Sequence, residues 1–371
     1  MNKFIFANQL RGIAALLVVM THYFGTFFAE QQLVGTKTMS PDLGFRPATW
    51  VRAFELPYQG PFGVAIFFLI SGFVIPFSLR KASSAGFLVH RAFRVLPTYI
   101  GCLAFGMLAV YLSATYWQQP FTITWRDFLA NAFLVHNVLG LPTLDSVNWT
   151  LAIEMKFYLL AALVPVLFLR ANALWLALFL AGALALTASP PWLVARFVPA
   201  HVQVLMELNY IVFMVTGTQF HHHVTGRITT RQLWLRVLAI VAVFSGTWSL
   251  GPQQGQFPAV TVFYYCAVVV FGVCYALRER FRPVRVLDFL ADVSYPLYCL
   301  HSLFGYCALK WLMVQGLPFG AAVLLTLASA IGLAWLVHRT IEVPTNRLGK
   351  RLGDRLPPRA RVLAGVSTVA E

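Results

Sequence analysis

The chain has 371 residues, of which 59% are hydrophobic and only 11% charged, against about a quarter charged in soluble domains. That composition excludes a water-soluble globular domain and specifies a polytopic membrane protein. A formal net charge of +15 suits a nucleic-acid binder, but the basic residues are spread over alternate loops rather than gathered in one patch, which excludes that class too.

The first apolar run, 4–28, carries Arg11 and His22 where lipid favours no ionisable group. At about 100° and 1.5 Å per residue, eleven positions return His22 to within roughly 20° of Arg11 and about 16 Å further along the same face. With Lys3 at the inner surface, Arg11 lies about 12 Å deep and His22 about 28 Å deep in a core about 30 Å thick. A charge at mid-membrane costs roughly 2.5 to 3.5 kcal/mol, so such residues mark an interior pathway or reaction site. The alternative is that Arg11 snorkels to the headgroups and His22 bonds a neighbouring helix. Imidazole takes and returns a proton near neutral pH, so a catalytic His22 expects its acceptor substrate from outside. The run is too long for a signal peptide and lacks a small-residue cleavage pattern, so it is expected to stay in the membrane.

Further apolar runs fall near 62–79, 95–113, 151–169, 173–188, 204–220, 233–250, 258–276, 294–314 and 318–338. Each approaches the roughly 20 residues that cross a bilayer as a helix, so an all-α protein of about ten transmembrane helices is expected. The segment 127–139 is too short to cross and carries Asp127, Asn131, His136 and Asn137, which reads as re-entrant or interfacial. Basic clusters at Arg80 to Arg94, Arg227 to Arg236, Arg278 to Arg285 and Arg347 to Arg361 mark cytoplasmic loops and put both termini inside. The loop 30–60, with Lys37, Arg46 and Arg52, is the exception. One membrane domain, 1–345, is expected, followed by a basic, flexible cytoplasmic tail, 346–371.

Arg91 and Arg94 lie three apart at the start of the third run, so both reach one side of a helical turn as a two-pronged clamp for phosphate. Taken alone, the pair is explained more simply by positive-inside topology or contact with anionic lipid. Glu154 is an acid inside an apolar span, about one turn below its outer end and level with His22. A carboxylate there fits the role of orienting the imidazole; the alternatives are a salt bridge with Lys156 or an Arg, or a protonated acid. The stretch 294–301, SYPLYCLH, is expected to open a helix, with His301 about 10 Å from its cytoplasmic start. His301 either lines the same cavity or bonds a neighbouring helix. His221, His222 and His223 complement a helix C-terminus, and without companion acids or thiols no metal site is expected. Five cysteines in or at apolar spans, with no C-x-x-C pair, are small core residues rather than a disulfide framework. No G-x-S-x-G, H-E-x-x-H, Walker A or G-x-G-x-x-G pattern occurs.

Five stretches together resemble the acyltransferase 3 family of integral-membrane bacterial O-acyltransferases. Leu10, Arg11 and Gly12 closing on His22 resemble its first-helix signature, an Arg and a His separated by ten residues. Residues 63–73, GVAIFFLISGF, are similar to its second-helix motif, and Arg91 to Arg94 to its cytoplasmic R-x-x-R. Residues 149–158 resemble W-S-L-x-x-E-x-x-F-Y, and 294–301 resemble S-Y-x-L-Y-x-x-H. The resemblance covers nearly the whole chain, with the motifs in family order. It implies a cytoplasmic acyl-CoA co-substrate, usually acetyl-CoA, no permanently bound cofactor, and a sugar hydroxyl acceptor on the far side. It implies a catalytic His22 and a part for Arg91 and Arg94 in donor use. Ser71, Asn148, Trp149, Tyr298 and His301 stand in the same motifs and, with Arg11, complete the candidate substrate-binding set; Glu154 is the second candidate catalytic residue. The chain departs from the pattern at Ala65, where many members have Asp, and near Asn8 and Gln9, where an Asp is frequent. No extracytoplasmic esterase-like domain is expected after the membrane part.

The reading is a membrane O-acyltransferase of the bacterial inner or plasma membrane that modifies a polysaccharide, a lipid-linked glycan, a nodulation-type oligosaccharide or a small glycoside. Its expected partners are acyl-CoA, the glycan and the bilayer, and no nucleic acid. Direct transfer and an acyl-histidine intermediate both stay open, as does the oligomeric state. The rival is a transporter or flippase of a lipid-linked glycan using Arg11, His22 and Glu154 as a charge relay. Such proteins often show paired, Gly/Pro-interrupted spans in two halves, a pattern this sequence lacks.

Overall fold

Long runs of Leu, Ile, Val and Phe with no water to solvate their backbone must satisfy each N–H and C=O within their own segment, and the α-helix does so. The computed structural model describes residues 4–54, 59–197 and 200–356, and their regular structure is helical throughout. Among the described residues, five helices are long and apolar enough to cross a bilayer: Ile5–Ala29, Gln59–Leu79, Ser84–Tyr116, Thr230–Leu250 and Phe319–Asp354. A further candidate is the pair Arg285–Leu300 and Leu303–Val314, bent by 76°. Ala173–Ala188 and Thr261–Ala276 are apolar but shorter. The run 151–169 divides into Asn148–Leu163 and Pro165–Leu169, because proline brings no N–H to the helix ladder. Leu163, Leu238, Val269 and Leu324 are between 63% and 71% exposed, which suits hydrocarbon rather than water around the bundle. The architecture is that of a multi-pass membrane protein.

The first helix packs against Gln59–Leu79 and Arg285–Leu300, and Gln59–Leu79 packs in turn on His201–Val224. Gly72 and Gly217 set the last contact. A Cβ on Gly72 would stand 1.9 Å from the Met214 carbonyl oxygen, and one on Gly217 2.2 Å from that of Leu69. Small residues let helix backbones touch where lipid provides no hydrophobic drive for association. Edge-to-face rings fill the space around them, Phe6 on Phe271 at 5.5 Å and Phe213 on Tyr264 at 4.9 Å.

The segment 127–139 begins in the short helix Trp125–Ala132 and continues in turns. Thr124 and Asp127 form a capping box, and the Thr124 hydroxyl and backbone N–H hold the exposed Asp127 carboxyl below its ordinary range. Trp125, Phe133 and Val138 face outward, whereas buried Asn131 accepts from Leu144 N and Asn148 Nδ2, each at 3.0 Å. This strap therefore fixes the start of helix Asn148–Leu163.

One expectation needs correction here. The stretch 294–301 does not open a helix; it closes Arg285–Leu300, and His301 lies at the break beyond this 16-residue helix. Arg285, Asp288 and Asp292 give 285–293 the look of a loop. Leu290, Ala291 and Val293 are nevertheless buried, so the amphipathic stripe starts earlier than the apolar run. At the other end, Arg347, Lys350 and Arg351 lie on helix Val343–Asp354, packed on Ser84–Tyr116. The rest of the basic tail, 357–371, is outside the described residues.

Candidate active site

A cavity of about 310 Å³ opens between the first helix, Gln59–Leu79, Ser84–Tyr116, Asn148–Leu163 and Arg285–Leu300. Most of its wall is apolar, and its ionisable lining is Arg11, Arg91, Arg94, Glu154 and the tyrosines Tyr158, Tyr295 and Tyr298. Arg11 donates to the Ala291 carbonyl at 2.9 Å and to Asn8 Oδ1 at 3.4 Å. Buried Arg91 donates to the Ser78 hydroxyl and lies over the rings of Phe87 and Tyr158, at 5.5 and 5.3 Å. These contacts fix its guanidinium plane. Arg94 lines the same cavity, and its guanidinium makes no hydrogen bond among the described residues. Glu154 Oε1 accepts from Ser71 Oγ at 2.6 Å and from the Tyr158 hydroxyl. Three guanidiniums therefore face one carboxylate.

Beyond the cavity stands a pair of imidazoles. The His22 and His301 rings meet edge to face at 4.7 Å. His22 Nδ1 lies 2.6 Å from the Tyr306 hydroxyl. His301 Nδ1 lies 2.8 Å from the Tyr298 carbonyl oxygen, which can only accept, so that nitrogen carries the proton. His301 Nε2 is buried with no partner among the described residues. His22 occupies the π-helical turn Thr21–Thr26, an interruption that often accompanies a functional site.

A family model described as an acyltransferase domain matches residues 4–339, which takes in every cavity residue and both histidines. The chain belongs to this acyltransferase family. Nodulation protein 10 of Rhizobium leguminosarum bv. viciae is 26% identical over 386 residues, covering 93% of this chain and 95% of that protein. Acyltransferase MdmB of Streptomyces mycarofaciens is 26% identical over 389 residues, covering 94% of this chain and 92% of that protein. No solved structure matches. The chain is thus an enzyme, an acyltransferase moving groups other than aminoacyl groups, and the transporter alternative gives way.

The structure of this acyltransferase brings together Arg11, Ser71, Arg91, Arg94, Glu154 and Tyr298 on one cavity. It does not bring Glu154 to His22. The carboxylate is held by Ser71 and Tyr158, and the imidazole by Tyr306. Nor does Glu154 pair with Lys156, whose ammonium goes to Glu207. His22 is not among the residues lining the cavity; Tyr298, which lines it, is bonded to Thr150 at 2.7 Å and its ring lies 5.7 Å from that of His301. Trp149 turns away to pack on Tyr210, the rings tilted by 49° with centroids 5.1 Å apart, and buried Asn148 braces the Asn131 strap. His301 sits beside His22, much farther along its helix than expected.

Sequence reasoning missed Tyr158 and Tyr306. Tyr158 stands one turn after Glu154, a spacing that was available as a signal. Tyr306 is five residues past His301 across an unmarked break, so nothing in the sequence pointed to it. Asp145 was missed as well. It is wholly buried ahead of helix Asn148–Leu163, where burial pushes its carboxyl up to about 6.

Proposed function

We propose that the chain is a membrane O-acyltransferase that moves an acyl group, acetyl in the first instance, from cytoplasmic acyl-CoA to a hydroxyl of an extracytoplasmic or lipid-linked sugar. The observation that carries this reading is the cavity in which Arg11, Arg91 and Arg94 face Glu154. Three positive charges against one negative leave an excess that suits phosphate, and Arg forks recognise phosphate oxygens bidentately. At about 310 Å³ the cavity stands at the lower end of ligand pockets, with room for a slender thioester arm rather than a nucleotide. The diphosphate end would then stay at the Arg91 and Arg94 side. On this reading the bundle crosses the bacterial inner or plasma membrane about ten times with both termini in the cytoplasm.

In this mechanism His22 Nε2 takes the proton of the acceptor hydroxyl as the oxygen attacks the thioester carbon. The tetrahedral adduct collapses, the C–S bond breaks, and the departing thiolate takes that proton to leave as CoA thiol. The sugar keeps the acyl group as an ester. Tyr298 must turn aside for the thioester arm to reach His22, at the expense of its bond to Thr150, about 1 kcal/mol net. Glu154 serves as counter-charge to the arginines and anchors Ser71 and Tyr158.

The test is to supply purified full-length protein with labelled acetyl-CoA and a panel of glycans and to look for an alkali-labile ester on the sugar. Binding of acetyl-CoA without ester formation on any glycan, glycoside or lipid-linked sugar would overturn the reading.

A further inference from the structure

We infer that a second pocket, between helices Arg285–Leu300 and Phe319–Asp354, holds the phosphate headgroup of an anionic phospholipid through Arg339 and Arg347. The inference does not depend on the transfer reaction.

The pocket measures about 400 Å³, and its wall includes Phe289, Asp292, Trp335, His338, Arg339 and Arg347. It lies at the Arg91 and Arg94 end of the bundle, since Gly349, two residues past Arg347, packs against Phe93. Its level in the membrane follows from the helix rise. Phe319 opens the apolar stretch that runs to Val337, and at about 1.5 Å per residue Arg339 stands about 30 Å beyond Phe319, one hydrocarbon thickness away. The guanidinium is therefore placed where acyl chains give way to phosphates. Phe289 and Trp335 on the wall are exposed, as are Val286, one turn before Phe289, and Leu336. Such an apolar rim suits acyl chains, and Trp is the residue type of the membrane interface.

Arg339 belongs to the π-helical turn His338–Glu342, an interruption of the kind that often accompanies a functional site. The turn occupies its own carboxylate, because His338 Nδ1 lies 2.8 Å from Oε2 of buried Glu342. Asp292, the acid on the wall, has an interaction of its own. Arg339 lies over the Trp335 ring at 5.2 Å, a contact that holds the guanidinium at the pocket without neutralising its charge. Neither Arg339 nor Arg347 makes a hydrogen bond or ion pair among the described residues. Two uncompensated guanidiniums at headgroup level, inside a pocket with an apolar rim, fit a phosphodiester whose tails lie along the bundle. Acyl-CoA carries phosphate too, but this pocket and the candidate active-site cavity share helix Arg285–Leu300 and no lining residue.

The experiment measures retention of phosphatidylglycerol and of phosphatidylcholine by the purified full chain in detergent, by native mass spectrometry with thermal unfolding in parallel. Phosphatidylglycerol should be retained and should raise the melting temperature. Phosphatidylcholine, whose choline neutralises its phosphate, should do neither. Arg339→Gln combined with Arg347→Gln should weaken phosphatidylglycerol binding about thirtyfold, the loss of two charges near an anionic surface. Arg351→Gln combined with Arg355→Gln removes as much charge outside the pocket and should weaken it far less. Melting of both double variants without lipid reads their folding separately, and the comparison of the two lipids needs no variant. Equal retention of the two lipids, equal losses in the two double variants, or displacement of phosphatidylglycerol by acetyl-CoA or glycerol phosphate would overturn the inference. The last result would assign the pocket to a soluble phosphate.

Discussion

Replacing Glu154 by Gln and by Ala separates a counter-charge from a catalytic acid. Two donors, Ser71 Oγ and the Tyr158 hydroxyl, converge on Oε1. Gln keeps an acceptor oxygen there, so both bonds survive as neutral ones. A charge-assisted bond contributes about 1.5 to 3 kcal/mol and a neutral one about 1, which makes the loss over two bonds on the order of 1 to 4 kcal/mol. Ala strands both hydroxyls, at about 1 to 3 kcal/mol each, and should be the less stable variant. Because the arginines would lose their opposing charge, the KM of Glu154→Gln for acetyl-CoA should hold or fall, and its turnover should stay within about tenfold of normal. Thermal unfolding in detergent reads the first pair of numbers, and steady-state transfer from labelled acetyl-CoA the second. If Glu154→Gln folds and binds donor normally yet loses as much rate as His22→Ala, the carboxylate acts on the imidazole after all.

His22→Ala should cut transfer by about 10² to 10⁴ with donor binding intact, measured as initial rate against acetyl-CoA affinity; near-normal turnover would refute its role. The double variant Arg91→Lys with Arg94→Lys keeps the positive-inside signal but loses the planar fork, so insertion should be normal and acetyl-CoA affinity weaker by titration. Asp145 has its carboxyl raised by burial, to about 6, so it favours the fold at low pH and that contribution is lost as pH rises through this value. Asp145→Asn should therefore raise the melting temperature at pH 7 to 8 and flatten its pH dependence between about 4 and 6; an unchanged profile would count against a strained carboxylate.

Much of the cavity was legible in the sequence, because each of Arg11, Arg91, Arg94 and Glu154 is ionisable where the surroundings are apolar. Periodicity gives a residue its depth and face on its own helix. It does not give the neighbouring helix, and so Glu154 and His22, expected at one level, have different partners. The site around His22 depends on the 76° bend after Leu300, at His301 and Ser302, where no Gly or Pro stands. Pro296 lies inside the helix before it, at a position that reads as a kink and is not the break. With that bend invisible, neither the meeting of His301 with His22 nor the presence of Tyr306 was derivable.

The contact between Gly72 and Gly217 has a mechanical consequence. With backbone resting on backbone at this crossing, helices Gln59–Leu79 and His201–Val224 have no side chains there to compress or repack, and they behave as one beam. Ser71, adjacent to Gly72, is mounted on that beam, and through it the Glu154 carboxylate is referred to a fixed frame. Any widening that lets a substrate arm pass must therefore be made by the opposite walls, those bearing Arg91 and Tyr298. The enzyme divides into an anvil and moving jaws, and a single methyl group added at either glycine would loosen the anvil.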